Sequence, residues 1–287
     1  MKTGSYFEMG RAHVVCEDYA KHTDDAVVIS DGCSNGNGPP IDSDWGSRFM
    51  CHLGLQYLPI LHGNGDNEPA FVQRVLTHGV ATCNALNKDT NCLTASLVLA
   101  YAKGKFIKTL RIGDGIVGAK FRDGTIRFSI IDFNKNAPFY PIYAESPQSL
   151  EDFFSKFGSK VKQVTYHVPE DTDEGWANIK ETEIEWDYAA DPYFTENFKR
   201  DDVSFVFVGS DGIEQFVTHI QNGTSKYTEK VPLEKVVRGM IDFGNFNRNF
   251  VYHQCHWMMR LDKPGTFVRL GWEPTDDISM GAIYCED

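Results

Sequence analysis

Four carboxylates in this chain stand where an apolar run meets a glycine or a second acid. Asp31-Gly32 closes AVVISDG, Asp114-Gly115 closes LRIGDG, Asp211-Gly212 closes FVFVGSDG, and Asp276-Asp277 opens DDISMGAIY. A strand tip presents a short carboxylate with little positional freedom, and an adjacent glycine lets a ligand approach the backbone. Oxygen donors held this way suit a hard cation such as Mg²⁺ or Mn²⁺, at roughly 2.0–2.1 Å and with waters retained. Asp-Gly is also a common turn pair, because Asp caps its own backbone and Gly adopts positive φ. Any one of these pairs, taken alone, is therefore read first as a turn. Three of them, with Glu17-Asp18 and Asp276-Asp277 added, are harder to read as turns alone. Were they to converge without a cation, each ionised pair at 4 Å would repel by about 1–4 kcal/mol.

The elements that must position these groups follow from periodicity. Residues 12–16 and 26–31 read as short strands, and the loop GCSNGNGPP follows the second. From Ser43 apolar residues recur at helical spacing, and Asn67-Glu68-Pro69 marks a second helix start. CLTASLVLAY, KFIKTLRIG, GIVGAKFR and TIRFSIIDF are strand-like runs separated by glycine turns, which predicts an antiparallel meander. Residues 134–200 are aromatic-rich and weakly periodic, and read as a partly mobile insert or flap over the sheet within a single domain spanning 1–287. SFVFVGSDG is again a strand, helices are expected near 232–243 and 247–261, and the last strand lies in 276–284. Strands and helix pairs segregated in this order predict an α+β fold with layered antiparallel sheets.

Composition narrows the function classes. Acidic residues outnumber basic ones 40 to 28, for a net charge of −12, which argues against nucleic-acid binding. No run approaches the ~20 apolar residues of a membrane span, and the N-terminus has no apolar segment of a signal peptide. Seven scattered cysteines without a CxxC pair fit a reduced, cytoplasmic setting.

Taken in order, His13-x-x-Cys16-Glu17-Asp18, VVISDG, Trp45-Gly46-Ser47 opening a helix, LTASLVL, LRIGDG, FVFVGSDG and DDISMGAIY form a pattern. It resembles the metal-dependent protein phosphatases of the 2C type (the PPM family), in particular their divergent bacterial and phage-like branch. That family shows an (E/Q)DA segment, a DG after a strand, a GTTA strand, a VGD(S) turn, an SDG after an apolar strand and a closing D(N/D) strand. No single mark is specific; their order and spacing are. The resemblance implies a four-layer α-β-β-α sandwich with two antiparallel sheets and a site for two Mn²⁺ or Mg²⁺ ions, with a weaker third. By the same resemblance Asp31 bridges the two ions and the Gly32 carbonyl binds one of them. Asp211 and Asp276 complete the shell of the other, and Glu17 serves the Gly32-side ion directly or through water. Asp18 holds waters around the ions, and Asp114 matches the position that helps hold the third.

The implied activity is that of a serine/threonine phosphoprotein phosphatase, hydrolysing phosphomonoesters without a phosphoenzyme. A water activated between cations, with a pKa lowered from 15.7 to about 7, is the expected nucleophile. No Cys-x5-Arg loop is present. The expected substrate is a phosphorylated protein, with a serine/threonine kinase or its targets as partners, and the expected state is a monomer. Two departures from the family pattern stand out. The family's phosphate-clamping arginine is His13 here, with Arg11 on the same face if the segment is a strand. His13 could contact phosphate when protonated, or be a hydrogen-bonded strand histidine. The histidine that some members carry after the DG is Cys33, a poor acid with a thiol pKa of about 8.5. These departures keep two alternatives open: a non-catalytic, phosphatase-like module that binds phosphopeptides or regulates, and a phosphatase of small phosphorylated metabolites.

Other motifs read as structural. His253, Cys255 and His256 lack the spacing of a four-ligand zinc site. Cys16 is expected to be a small buried hydrophobe, GCSNGNGPP carries no phosphate-cradling motif, and the acidic run 170–174 is expected to be a solvated face.

Overall fold

The computed structural model describes residues 1–33, 42–65, 67–170, 177–186, 192–222, 225–247, 249–259 and 272–286. In chain order its first strands are β1 (Lys2–Glu8), β2 (Asp18–His22) and β3 (Ala26–Asp31), followed by helices α1 (Ser43–His62) and α2 (Glu68–Ala85). Four strands come next: β4 (Leu97–Lys103), β5 (Phe106–Ile112), β6 (Ile116–Phe121) and β7 (Ile126–Phe133). Then follow α3 (Pro147–Phe157), β8 (Lys160–Val168), β9 (Asn178–Glu185), β10 (Phe194–Lys199) and β11 (Val203–Gly209). The chain continues through β12 (Phe216–Asn222), β13 (Ser225–Lys230), α4 (Leu233–Met240), α5 (Phe250–Met259), β14 (Trp272–Pro274) and β15 (Ile278–Tyr284).

The strands form a seven-stranded sheet, β1-β15-β11-β6-β7-β8-β9, a five-stranded sheet, β10-β5-β4-β3-β2, and a small sheet, β13-β12-β14. Every pairing in them is antiparallel. The two large sheets are sandwiched face to face between helices, giving the expected α-β-β-α layers. Side-chain alternation shows why. In β3, Val28 packs with Met50, Leu53, Phe71 and Val75 of α1 and α2, while Val27 and Ile29 turn inward to meet Val117, Val206 and Val208 of the other sheet. In β11, Phe205 and Phe207 turn outward to Val236, Val251 and Cys255 of α4 and α5. Both faces of these strands are covered, so they read as continuous apolar runs rather than as an apolar–polar alternation.

The structure differs from the sequence expectations in three places. Residues 12–16 are not a strand but part of a loop between β1 and β2, and β1 itself, Lys2–Glu8, gave no clear signal. The four runs from Leu97 to Phe133 are not one meander. β4 and β5 belong to the five-stranded sheet, β6 and β7 to the seven-stranded one, and the chain crosses between them at Gly113-Asp114-Gly115. That crossing uses positive φ at Gly113 (+89°) and Gly115 (+116°), and a Cβ on Gly115 would stand 2.7 Å from the Gly209 carbonyl oxygen. Finally, 134–200 is woven into the fold where it is described. β8 and β9 extend the seven-stranded sheet, β10 extends the other, and Phe139, Phe153 and Trp186 join the core beneath α1 and α2. The weak periodicity of β9 (NIKETEIE) reflects an edge position, where exposed charges deter pairing with another chain.

Candidate metal centre

Register brings the acidic strand ends to one end of the sandwich. Asp31, the last residue of β3, sits opposite Asp18, the first of β2. The end of β3 also lies beside the start of β4, which pairs with the end of β5. In the other sheet the last residue of β11, Gly209, pairs with Ile116 at the start of β6 and with Met280 near the start of β15. The Gly113–Gly115 crossing ties the two sheets together at that end, so Asp31, Asp18, Asp114, Asp211 and Asp276 are gathered from five separate segments.

Their electrostatics show how closely they meet. Asp18 is fully buried, and neither of its carboxylate oxygens has a hydrogen-bond partner. Burial above all, and then the charge of Asp211, raises its pKa to about 7. Asp31 is held well above the usual carboxylate range by burial, then by the charges of Asp18 and Asp211. Asp114 is held well above it by burial and then by Asp211, and its Oδ1 is sealed from solvent without a partner. Burial followed by Asp211 also raises Asp276, with His13 opposing. Asp211 is thus the neighbour common to all four. Yet among the described residues no three of these carboxylates bring ligand atoms within 4.8 Å of one another. They form a wide acidic basin rather than a cage around a single ion.

The other expected site residues are placed as follows. The Gly32 N–H donates to the Glu17 carbonyl at 3.1 Å, fixing the Asp31-Gly32 corner against the segment that carries Glu17 and Asp18. Glu17 is buried and accepts a hydrogen bond from Ser43 Oγ at the start of α1. His13 lies against Asp276, Asp277 and Glu17. Arg11 does not share its face: it is exposed and paired with Glu273 at 2.9 Å. Cys33 is half-buried, and burial pushes its thiol up, so it supplies no readily released proton. Cys16 is half-buried rather than a core residue, its thiol pushed up to about 12 by burial and then by Asp277. Cys255 is in the core while His253 and His256 are exposed, so these three share no site. Residues 34–41, most of GCSNGNGPP, and residues 171–174 of the acidic run lie outside the described residues.

Four residues that the sequence reading passed over belong to this end of the fold. Glu214, three residues after Asp211 in the short helical turn Asp211–Gln215, has its pKa raised to about 7 by burial and then by Asp211. The i,i+3 spacing within SDGIEQ was a usable signal for it. Gln215 donates to Asp276 Oδ2 at 2.5 Å. Arg111 is fully buried in β5, donating to the carbonyls of Gly115 (2.9 Å) and Ser129 (3.0 Å), and so braces the Asp114 turn from behind. A cation inside the apolar run FIKTLRIG could have flagged it. Tyr140 is buried, with Asp114, Cys33 and Asp31 nearby pushing its hydroxyl further up after burial itself; nothing local in the sequence marks it.

The sequence profile of the family described as protein phosphatase 2C matches residues 10–229, which include Asp18, Asp31, Asp114 and Asp211. The chain belongs to the protein phosphatase 2C family. Among solved structures, this 2C-type chain is similar to a bacterial serine phosphatase bearing a single point mutation, with 10% identity, a TM-score of 0.50 and coverage of 100% of this chain and 99% of that one. It is also similar to the Mycobacterium tuberculosis serine/threonine phosphatase PstP/Ppp, with 12% identity, a TM-score of 0.49 and coverage of 100% and 99%. A third similar structure is the PstP catalytic domain in complex with two manganese ions, with 10% identity, a TM-score of 0.48 and coverage of 100% and 98%. No curated protein sequence is a significant match. No helix among the described residues is long and apolar enough to cross a membrane.

Proposed function

We propose that this chain is a metal-dependent phosphatase acting on phosphoserine or phosphothreonine in proteins. The observation that carries the reading is the basin itself. Asp18 and Asp114 hold buried oxygens without partners, and burial and mutual charge raise Asp18, Asp31, Asp114 and Asp276. Buried carboxylates are normally paired or bound to a cation, and an all-oxygen donor set fits Mg²⁺ or Mn²⁺. Asp31, the Gly32 carbonyl, Asp211 and Asp276 would hold two ions, Glu17 would serve the ion on the Gly32 side, and Asp114 would help hold a weaker third. The wide spacing of the carboxylates suits hard cations that keep several waters.

Bound divalent cations would supply charge against phosphoryl oxygens and lower the pKa of water toward neutrality. The chain's own part is positional. Asp18 would orient water in the basin, while Asp31 and Asp211, whose charges act on each other, would flank the bound phosphomonoester. Cys33 and Cys16, both pushed up as thiols, are unsuited to act as nucleophiles, in keeping with direct hydrolysis. The retention of Asp31, Asp211 and Asp276 supports a catalytic reading over a binding-only module.

The test is release of phosphate from a phosphothreonine peptide and from a sugar phosphate, with Mn²⁺ or Mg²⁺ and with EDTA. Cation-dependent turnover of the peptide that Asp31→Asn abolishes is the expected result. Turnover of the sugar phosphate alone would move the substrate class to metabolites. No turnover of either by the wild type with any divalent cation would sink the proposal.

A further inference from the structure

The reading of the basin as a cation site is the ground for one further step: we infer that His13 is a positioning residue for Asp276 and does not contact phosphate. Its imidazole is wedged between two carboxylates. Nε2 is 3.0 Å from Oδ1 of Asp276, and Nδ1 is 3.2 Å from Oδ2 of Asp277. Glu17 Oε2 stands 3.9 Å from the same Nδ1. A phosphate clamp must turn a donor toward the substrate and away from the protein's own acids, whereas both ring nitrogens here already face carboxylate oxygens.

Asp277 explains why the ring is held there. It is 2% exposed. Its two oxygens accept the backbone N–H groups of Gly10 (2.7 Å) and Glu17 (2.6 Å), closing the loop that carries His13. The backbones of Arg11 and Ala12 add bonds of 3.1 Å to the carbonyls of Pro274 and Thr275. Glycines 10 and 212 allow the close packing: a Cβ would fall 2.1 Å from the backbone of Asp276 at the first and 1.8 Å from that of Asp277 at the second. With a backbone donor on each oxygen, Asp277 anchors the loop that carries His13. Asp276, in turn, is located at both oxygens. Gln215 donates to Oδ2, while the Asp277 N–H (2.9 Å) and the His13 ring meet Oδ1. Partners of this kind orient a metal-ligating group, and their loss typically costs about 10–100-fold in metal affinity.

The experiment measures Mn²⁺ binding by calorimetry for wild type, His13→Ala, His13→Gln and His13→Asn, with steady-state kinetics on a phosphothreonine peptide at saturating Mn²⁺. Gln places its terminal amide near the Nε2 position, and Asn near Nδ1. The Mn²⁺ Kd is expected to rise about 10–100-fold in His13→Ala and His13→Asn and to recover in His13→Gln. KM for the peptide and inhibition by inorganic phosphate are expected to stay at wild-type values in all three. Unchanged Mn²⁺ affinity in His13→Ala, or a raised KM and weakened phosphate inhibition without loss of Mn²⁺, would overturn the inference while leaving the phosphatase reading intact. A wild-type protein that neither binds Mn²⁺ nor hydrolyses the peptide would defeat that reading and this inference together.

Discussion

Neutralising one crowded carboxylate should stabilise the metal-free protein, and Asp18 is the cleanest case. Its side chain is fully buried with no partner on either oxygen, and its pKa is raised from 3.8 to about 7 by burial and then by Asp211. Between those two values the folded chain keeps a proton that the unfolded chain has released. Stability from this group is therefore greatest below the unfolded value of 3.8 and is lost as the pH rises through about 7. At about 1.4 kcal/mol per pH unit, the full loss is on the order of 4 kcal/mol. Asp18→Asn keeps the shape and removes the charge. In EDTA near pH ~8, urea unfolding should place the variant about 2–4 kcal/mol above wild type, the gap closing toward pH ~4. Mn²⁺ at about 100 times its Kd should then stabilise wild type by about 2.7 kcal/mol, and the variant by less. An Asp18→Asn protein no more stable than wild type in EDTA near pH ~8 would refute the crowding and remove the physical ground for a cation site.

Three further outcomes are expected. Asp211→Asn, removing the charge common to the raised carboxylates, should lower Mn²⁺ affinity by at least ~10-fold by calorimetry while leaving the metal-free protein folded by circular dichroism. Gly212→Ala would put a Cβ 1.8 Å from the Asp277 carbonyl oxygen. It should cost more than ~2 kcal/mol in urea unfolding, and a cost under ~0.5 kcal/mol would contradict this packing. Arg111→Met strips buried donors from Gly115, Ser129 and the Ser129 hydroxyl and should cost about 3–5 kcal/mol, because the acceptors and nearby charges stay buried; thermal melting checks it.

Much of the fold could be read along the chain. The helical spacing after Ser43, the proline at the start of α2, and the apolar runs of β3, β4, β11 and β15 all depend on neighbours within a few residues, and periodicity reports such relations directly. The tip positions of Asp31, Asp114, Asp211 and Asp276 were visible for the same reason, since each is a strand end followed or preceded by turn chemistry. The same local logic misplaced other segments. Residues 12–16 carry strand-forming types but are held as a loop by Asp277, which lies 260 residues beyond Glu17 in the chain. The stretch from Leu97 to Phe133 has hairpin-like turns, yet one of them joins two different sheets. β9 shows no apolar pattern because an edge strand on a charged surface needs none.

By itself, then, the order of residues determined the helices after Ser43 and the most apolar strands, and that several acids stand at strand ends. Which acids meet was decided only by tertiary structure. Strand register and the sheet-to-sheet crossing at Asp114 are non-local, and they place Asp211 within reach of Asp18, Asp31, Asp114 and Asp276. The partner of His13 was decided in the same way. A histidine in a loop has no preferred contact until folding sets a buried Asp277 beneath it and an Asp276 beside it. Charges lose water only in the folded state, so their repulsion, and the pull toward a cation that offsets it, exist only in three dimensions.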